Sequence, residues 1–458
     1  MDPGGGAQAR SSGGSLNADA AEFRPGALKA GTRPAASSSA QPAQQPAEKK
    51  TSSLIFSGGG NFLSKYGEKG EEQTVNVKPR KRTELGSTPM PDRANVQLNQ
   101  LIVNARLPEK ILQVVDDNFQ ELNAVNLITA LHRLASISVA NKKGSVRRDV
   151  RFKRLINKLS DVIRTSEPSG LKPQDLSNVA WALTKLGILN SVLFSLLAEH
   201  IMRGISAFEP VNLSMTLWAF ARSGFLDENL FRAAAEEVKV RLSSFQPQQI
   251  ANTTWAMAKG GFVDEELFRQ AAEHSIERLD EFQPMNFSML LYSFALAKQH
   301  HPRLFSEVGK RCTVKILSRC ASAPHVVSNL ALAYSEAGVA DKTVFDAIAA
   351  VSSEQLYDFR AQQIATLAEA FGKSQVRHDR LFKCISKAVS TRYPEFRPQE
   401  LKDIIAAFQA LGISTSGIDK VMAAGGTQAS GYEMFTSRLL VVVLGFLAAF
   451  LSWFLRNG

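Results

Sequence analysis

Apolar side chains recur along the middle of this chain in two interlocked rhythms, one of a helical turn and one of 37 residues. Inside each 37-residue stretch they fall three or four positions apart, the spacing of one face of an α-helix. Proline marks the longer rhythm at Pro173, Pro210, Pro247 and Pro284. Eight residues on stand Trp181, Trp218, Trp255 and Tyr292, and fourteen on stand Gly187, Gly224 and Gly261. Twenty-one on come Phe194, Phe231, Phe268 and Phe305, while Phe208, Phe245 and Phe282 precede the last three prolines by two. Proline belongs in a helix's first turn, where its missing N–H is not needed. A first helix is therefore predicted from Pro173 to about Lys185, with Gly187 as its left-handed C-cap. A second helix starts near Asn190 and ends before the next Phe-x-Pro. Trp181, Leu183, Phe194 and Leu197 are expected to fill the space between helices and between units. A unit this small cannot bury its own apolar face, so neighbours must stack.

The rhythm drifts without breaking. Pro324 follows after 40 residues, and Ala361 and Pro398 after 37 each. Phe345 and Phe382 keep the phenylalanine position, and Gly338 and Gly412 the glycine position. Upstream, helical spacing begins near Asn95 with Leu98, Leu101, Ile102 and Ala105, then continues with Ile111, Val114 and Val115 after Pro108. Residues 119–135 match a first helix through Phe119, Asn126, Ala130 and Leu134, and their partner is delayed to 150–164 by an insert over 137–147. The fold expected is all-α, a right-handed helix-pair repeat solenoid of about 37 residues per unit over residues 93–424.

Both flanks read differently. Residues 1–92, rich in Gly, Ser, Ala, Pro and Gln, bury too little apolar area to offset chain entropy and are expected to be a disordered arm. No apolar run near Met1 suggests a secretory signal. Arg10, Arg24 and Arg33 fit a transit peptide, while Asp2, Asp19 and Glu22 argue against one. Lys78–Arg82 is a basic cluster suited to a nuclear signal, a phosphate contact or a solvated linker. Residues 425–438 read as a linker, and 439–455 carry no charge. As a helix those residues extend roughly 25 Å, near the lower limit for a bilayer. Arg438 and Arg456 bracket them, Trp453 suits an interface, and 456–458 form a short tail. A single C-terminal transmembrane helix, a tail anchor, is expected; a buried solenoid helix is the alternative.

Within the arm, residues 15–25 contain Leu16, Asn17, Ala20, Phe23 and Pro25 at the spacing Leu-Asn-x-x-Ala-x-x-Phe-x-Pro. This stretch is similar to the PABP-interacting motif. The resemblance implies docking onto the C-terminal helical domain of poly(A)-binding protein, with Leu16 and Phe23 filling two apolar pockets. A disordered segment with one aromatic anchor suits that mode.

Fifty-four basic residues against 43 acidic ones give a net charge of +11, which favours an anionic partner. Cys312, Cys320 and Cys384 make no disulfide framework and read as small buried hydrophobes in a reducing compartment. The seven histidines show no metal-ligand spacing with them, and no nucleophile elbow, kinase signature or phosphate loop occurs. No catalytic residue, metal or cofactor is expected.

Residues 248–259, Gln-Gln-Ile-Ala-Asn-Thr-Thr-Trp-Ala-Met-Ala-Lys, and their counterparts from Gln174 and Val211, resemble octotricopeptide and FAST kinase-like helical repeats. Similar arrays occur in apicomplexan and dinoflagellate organelle proteins and in trypanosomatid RNA-editing substrate-binding complexes. The resemblance covers roughly 95–415 and implies RNA binding, although no RAP-type domain follows. A repeat that reads bases varies a few positions on a fixed frame. Two residues into each unit stand Asp175, Asn212, Gln249 and Asn286, and five residues in stand Asn178 and Asn252. Base contact and helix capping both suit these positions. Lys185, Arg222, Lys259 and Lys373 recur at twelve, and Arg241, Arg278, Lys315 and Arg392 at thirty-one. Each row would line phosphates or complement helix C-termini. The function expected is a non-enzymatic, membrane-anchored RNA-binding adaptor whose arm recruits poly(A)-binding protein, facing the cytosol from the mitochondrial outer membrane or endoplasmic reticulum. Its alternatives are a protein-binding scaffold, or an RNA-processing factor inside an organelle such as the mitochondrion.

Overall fold

The computed structural model describes residues 93–423, apart from 138–139, 168–169 and 321–322. The arm, its motif at 15–25 and the apolar segment 439–455 lie outside the described residues. Helices and turns make up everything described, with no strand, as the all-α expectation requires. No described helix is long and apolar enough to cross a membrane. Contacts divide these residues into two compact units, 93–156 and 157–423.

The smaller unit holds α1 (Arg93–Asn104), α2 (Pro108–Asp117), α3 (Ala124–Ile137), α4 (Ala140–Arg148) and the start of α5 (Val150–Thr165). Its core includes Ile102, Ile111, Val115, Leu127 and Leu134, all buried. Leu101, expected on the same apolar face, is exposed. Phe119 precedes α3 instead of joining it, and the Arg154 guanidinium lies 4.3 Å over its ring. The expected insert is itself helical, as α4.

The larger unit repeats a helix pair. The first helices are α6 (Pro173–Leu186), α8 (Pro210–Ser223), α10 (Pro247–Gly260), α12 (Pro284–Leu296), α15 (Pro324–Glu336), α17 (Ala361–Lys373) and α19 (Pro398–Ala410). Their partners are α7 (Ser191–Arg203), α9 (Glu228–Arg241), α11 (Glu265–Glu277), the broken pair α13 (Pro302–Gly309) and α14 (Val314–Leu317), α16 (Lys342–Gln355) and α18 (Asp379–Arg392). Each first helix packs along its length on the first helix of the next unit. Second helices meet their successors less extensively. The first helices are thus drawn together on the inner, tighter side of the stack.

Local chemistry keeps this register. At the fourteenth position Gly187, Gly224, Gly261, Gly338 and Gly412 have φ between 63° and 77°, the left-handed cap that lets the chain reverse. Lys298 and Gln375 hold the same position without glycine and still adopt φ of 54° and 55°. A side chain there costs about 1 kcal/mol. Lys298→Gly is therefore expected to raise unfolding free energy by about 1 kcal/mol, read as a higher urea midpoint at unchanged m-value.

Second helices are capped at the seventeenth position. Asn190, Asp227, Asp264 and Asp341 accept the N–H of the residue two or three places on. His301 and His378 do the same through Nδ1, accepting from Leu304 at 3.2 Å and Leu381 at 3.3 Å. These two histidines are caps.

Between units runs an aromatic ladder. The phenylalanine of each second helix meets a ring ten residues into the next unit. Phe194–Phe220, Phe268–Phe294, Phe305–Tyr334, Phe345–Phe371 and Phe382–Phe408 have centroids 4.9 to 5.3 Å apart in edge-to-face geometry. Such pairs add about 1 kcal/mol each to the area they bury. At the third unit Met257 replaces the ring, and Phe231 stacks on Phe262 instead, at 4.6 Å.

Candidate nucleic-acid interface

Positions one, five, eight and twelve of a first helix share one face. Across the first three units that face reads Gln174, Asn178, Trp181, Lys185; Val211, Met215, Trp218, Arg222; and Gln248, Asn252, Trp255, Lys259. Its centre is closed. Trp218 and Trp255 lie 6.5 Å apart between ring centroids, and both are buried, as are Met215 and Asn252. Its ends are open: Val211 and Lys259 are exposed, and Lys185 and Arg222 half-buried. Three cations on neighbouring helices thus form a short row along one rim.

Most of the second positions act as caps. Asp175 accepts from the Lys172 N–H at 3.2 Å, Gln249 from Gln246 at 2.9 Å and Asn286 from Gln283 at 3.0 Å. Gln363 and Glu400 repeat the arrangement with Arg360 and Arg397. Burial raises the Asp175 carboxyl above its usual range. Asn212 instead accepts a hydrogen bond from Ser177 Oγ at 3.3 Å, joining two units. At the fifth position Asn178 is half-buried, and the Nδ2 of buried Asn252 has no hydrogen-bond partner.

The second basic row turns inward. Arg241, Arg278 and Arg392 each donate at 2.9 Å to a carbonyl 33 residues back, those of Phe208, Phe245 and Phe359. Glu237, Glu281 and Glu395 pair with the same guanidiniums at 3.0, 2.6 and 2.7 Å. These arginines clamp one unit to the phenylalanine turn that ends the unit before. Lys315 sits exposed on α14, where the unit is irregular.

Further along, the same inner face becomes acidic. Leu296 takes the twelfth position in α12, and Glu336 takes it in α15. Glu369 and Asp403 follow on α17 and α19. Partial desolvation of its carboxyl, then the charges of Asp403 and Glu336, hold Glu369 above its usual range. Lys373, expected in the basic row, is paired with Glu336 at 2.7 Å.

Cys312 is buried and burial pushes its thiol up to about 12, while half-buried Cys384 faces the Ser353 carbonyl at 3.8 Å. Among the described residues no three His, Cys, Asp or Glu side chains are placed to hold a metal.

Residues 139–326 match the family model of the RNA-editing substrate-binding complex 6 protein (RESC6). The match supports an RNA-editing-related helical-repeat family over that stretch. It takes in α6 to α14, and with them Lys185, Arg222 and Lys259. The acidic half of the inner face falls outside it. No curated protein matches the chain.

Proposed function

We propose that the chain is a non-enzymatic RNA-binding component of an RNA-processing assembly, with the phosphate backbone lying along Lys185, Arg222 and Lys259. The coincidence of the RESC6-like stretch with the units that present this row carries the reading. Cations at spaced positions on a rigid frame suit a polyanion. On the sequence alone, the same proposal gives the flanks their roles. The motif at Leu16–Pro25 recruits the C-terminal domain of poly(A)-binding protein, and residues 439–455 anchor the chain to the lipid bilayer of a cytosol-facing membrane. Holding both at one surface raises their effective concentration.

The test is ultraviolet crosslinking and purification of the full chain from cells, followed by sequencing of bound RNA. Recovery of RNA from the wild type, lost when Lys185, Arg222 and Lys259 become Glu, is expected. Equal recovery from both, or none from either, overturns the RNA reading. Poly(A)-binding protein in the same eluate should vanish with Phe23→Ala, and membrane fractionation should fail after truncation before Leu439. Either one persisting removes that role.

A further inference from the structure

The inner face changes sign half-way along the stack, and the change is abrupt. Lys185, Arg222 and Lys259 end three consecutive first helices, α6, α8 and α10. The next helix, α12, puts Leu296 at that position and Tyr292 one turn before it. Beyond it, Glu336, Glu369 and Asp403 occupy the same face of α15, α17 and α19. These three helices pack one on the next, which brings the carboxylates onto one surface, and Lys373 is drawn into a 2.7 Å pair with Glu336. An RNA strand continuing past α12 would meet an excess of carboxylates, and phosphate beside carboxylate is repulsive.

We propose that the acidic half of the face is an electrostatic stop, which confines bound RNA to the three units of α6, α8 and α10. The inference rests on the RNA reading above and narrows its ligand. One row of cations follows one strand, whereas duplex recognition needs contacts across a groove. Neighbouring packed helices lie about 9 Å apart, so three cations span about 18 Å. The bound segment is a short single strand, held by its phosphates. The buried floor at Trp218, Asn252 and Trp255 leaves no open recess for a splayed base, so binding tolerates any sequence. Glu336 and Glu369 both reach solvent, so exchanging them removes the exposed pair with Lys373 and leaves the apolar packing intact.

The experiment measures fluorescence anisotropy of labelled oligouridylates of about 4, 8 and 16 nucleotides, lengths within the range of single-strand sites, against the full chain. Wild-type affinity should stop rising between the two shorter lengths. A variant carrying Glu336→Lys and Glu369→Lys should bind the longest oligomer about thirtyfold tighter, with its salt slope steeper by about 1.4, since each of two new single-strand contacts adds about 1 kcal/mol and about 0.7 to the slope. The neutral pair Glu336→Gln and Glu369→Gln should fall between, and circular dichroism should be unchanged in both. Affinity that climbs with length in the wild type overturns the stop, as does a Lys variant with wild-type length dependence. An oligoadenylate series bound more than tenfold differently overturns the tolerance of sequence. If no oligomer binds the wild type, the RNA reading itself fails, and the stop with it.

Discussion

Replacing Lys185, Arg222 and Lys259 together by glutamine is expected to weaken binding of single-stranded RNA about a hundredfold at physiological salt. Unit charges about 4 Å apart in water attract by about 1 kcal/mol, so three lost contacts remove about 3 kcal/mol, or two decades in Kd. Glutamate at the same sites adds repulsion of like size and should cost about as much again. The salt slope should flatten by about two, because each single-strand phosphate contact contributes about 0.7. Anisotropy titrations at two salt concentrations check both numbers. The competing account is local: all three side chains sit in the last turn of a helix, where a cation offsets the macrodipole. On that account each glutamine lowers stability by about 0.5 kcal/mol and leaves RNA binding alone. Affinity falling while the urea midpoint holds decides for phosphate contact. The reverse decides for the dipole.

How much of this was legible in the sequence depended on how narrow each position's chemistry is. A left-handed cap admits few residues, so Gly187, Gly224 and Gly261 announced it, and Asn190 announced the next helix start. Where Lys298 and Gln375 hold that conformation, the surrounding stack imposes it and no local signal remains. The aromatic ladder was half visible. Phe194 and its counterparts recur strictly, but their partners drift through Phe220, Met257, Phe294 and Tyr334, because any large apolar group fills that space. The second positions stayed two-sided for a related reason. One N–H can be accepted by Asp175, Gln249, Asn286 or Glu400 alike, so a cap looks as variable as a base-reading position. Both uses fit the letters, and only the geometry shows the oxygens engaged. The acidic half was available at the twelfth position, where Leu296 and Glu336 interrupt the cations. Its depth was not, since Glu369 and Asp403 join it from other offsets.

The second basic row separates the two uses of positive charge most sharply. Arg278→Met should lower unfolding free energy by about 2 kcal/mol, because a charge-assisted hydrogen bond disappears and the buried unit loses its donor at the Phe245 carbonyl. Arg278→Lys should cost nearly as much. An ammonium keeps the charge but lacks the planar fork that here serves the carbonyl at 2.9 Å and Glu281 at 3.0 and 2.6 Å together. Since each unit is stabilised by its neighbours, the loss falls on the interface between two of them, and the urea transition should broaden as cooperativity weakens. Binding of single-stranded RNA should stay within twofold of wild type in both variants. A row that served phosphates would behave in the opposite way: lysine would preserve affinity, methionine would reduce it, and the urea midpoint would not move. The same pair of substitutions at Arg392, which donates to Phe359 at 2.9 Å and pairs with Glu395 at 2.7 Å, should repeat the result. Agreement at two clamps 114 residues apart would make it a property of the repeat, because what recurs between Arg278 and Arg392 is the 33-residue reach to the phenylalanine carbonyl two residues ahead of a first helix.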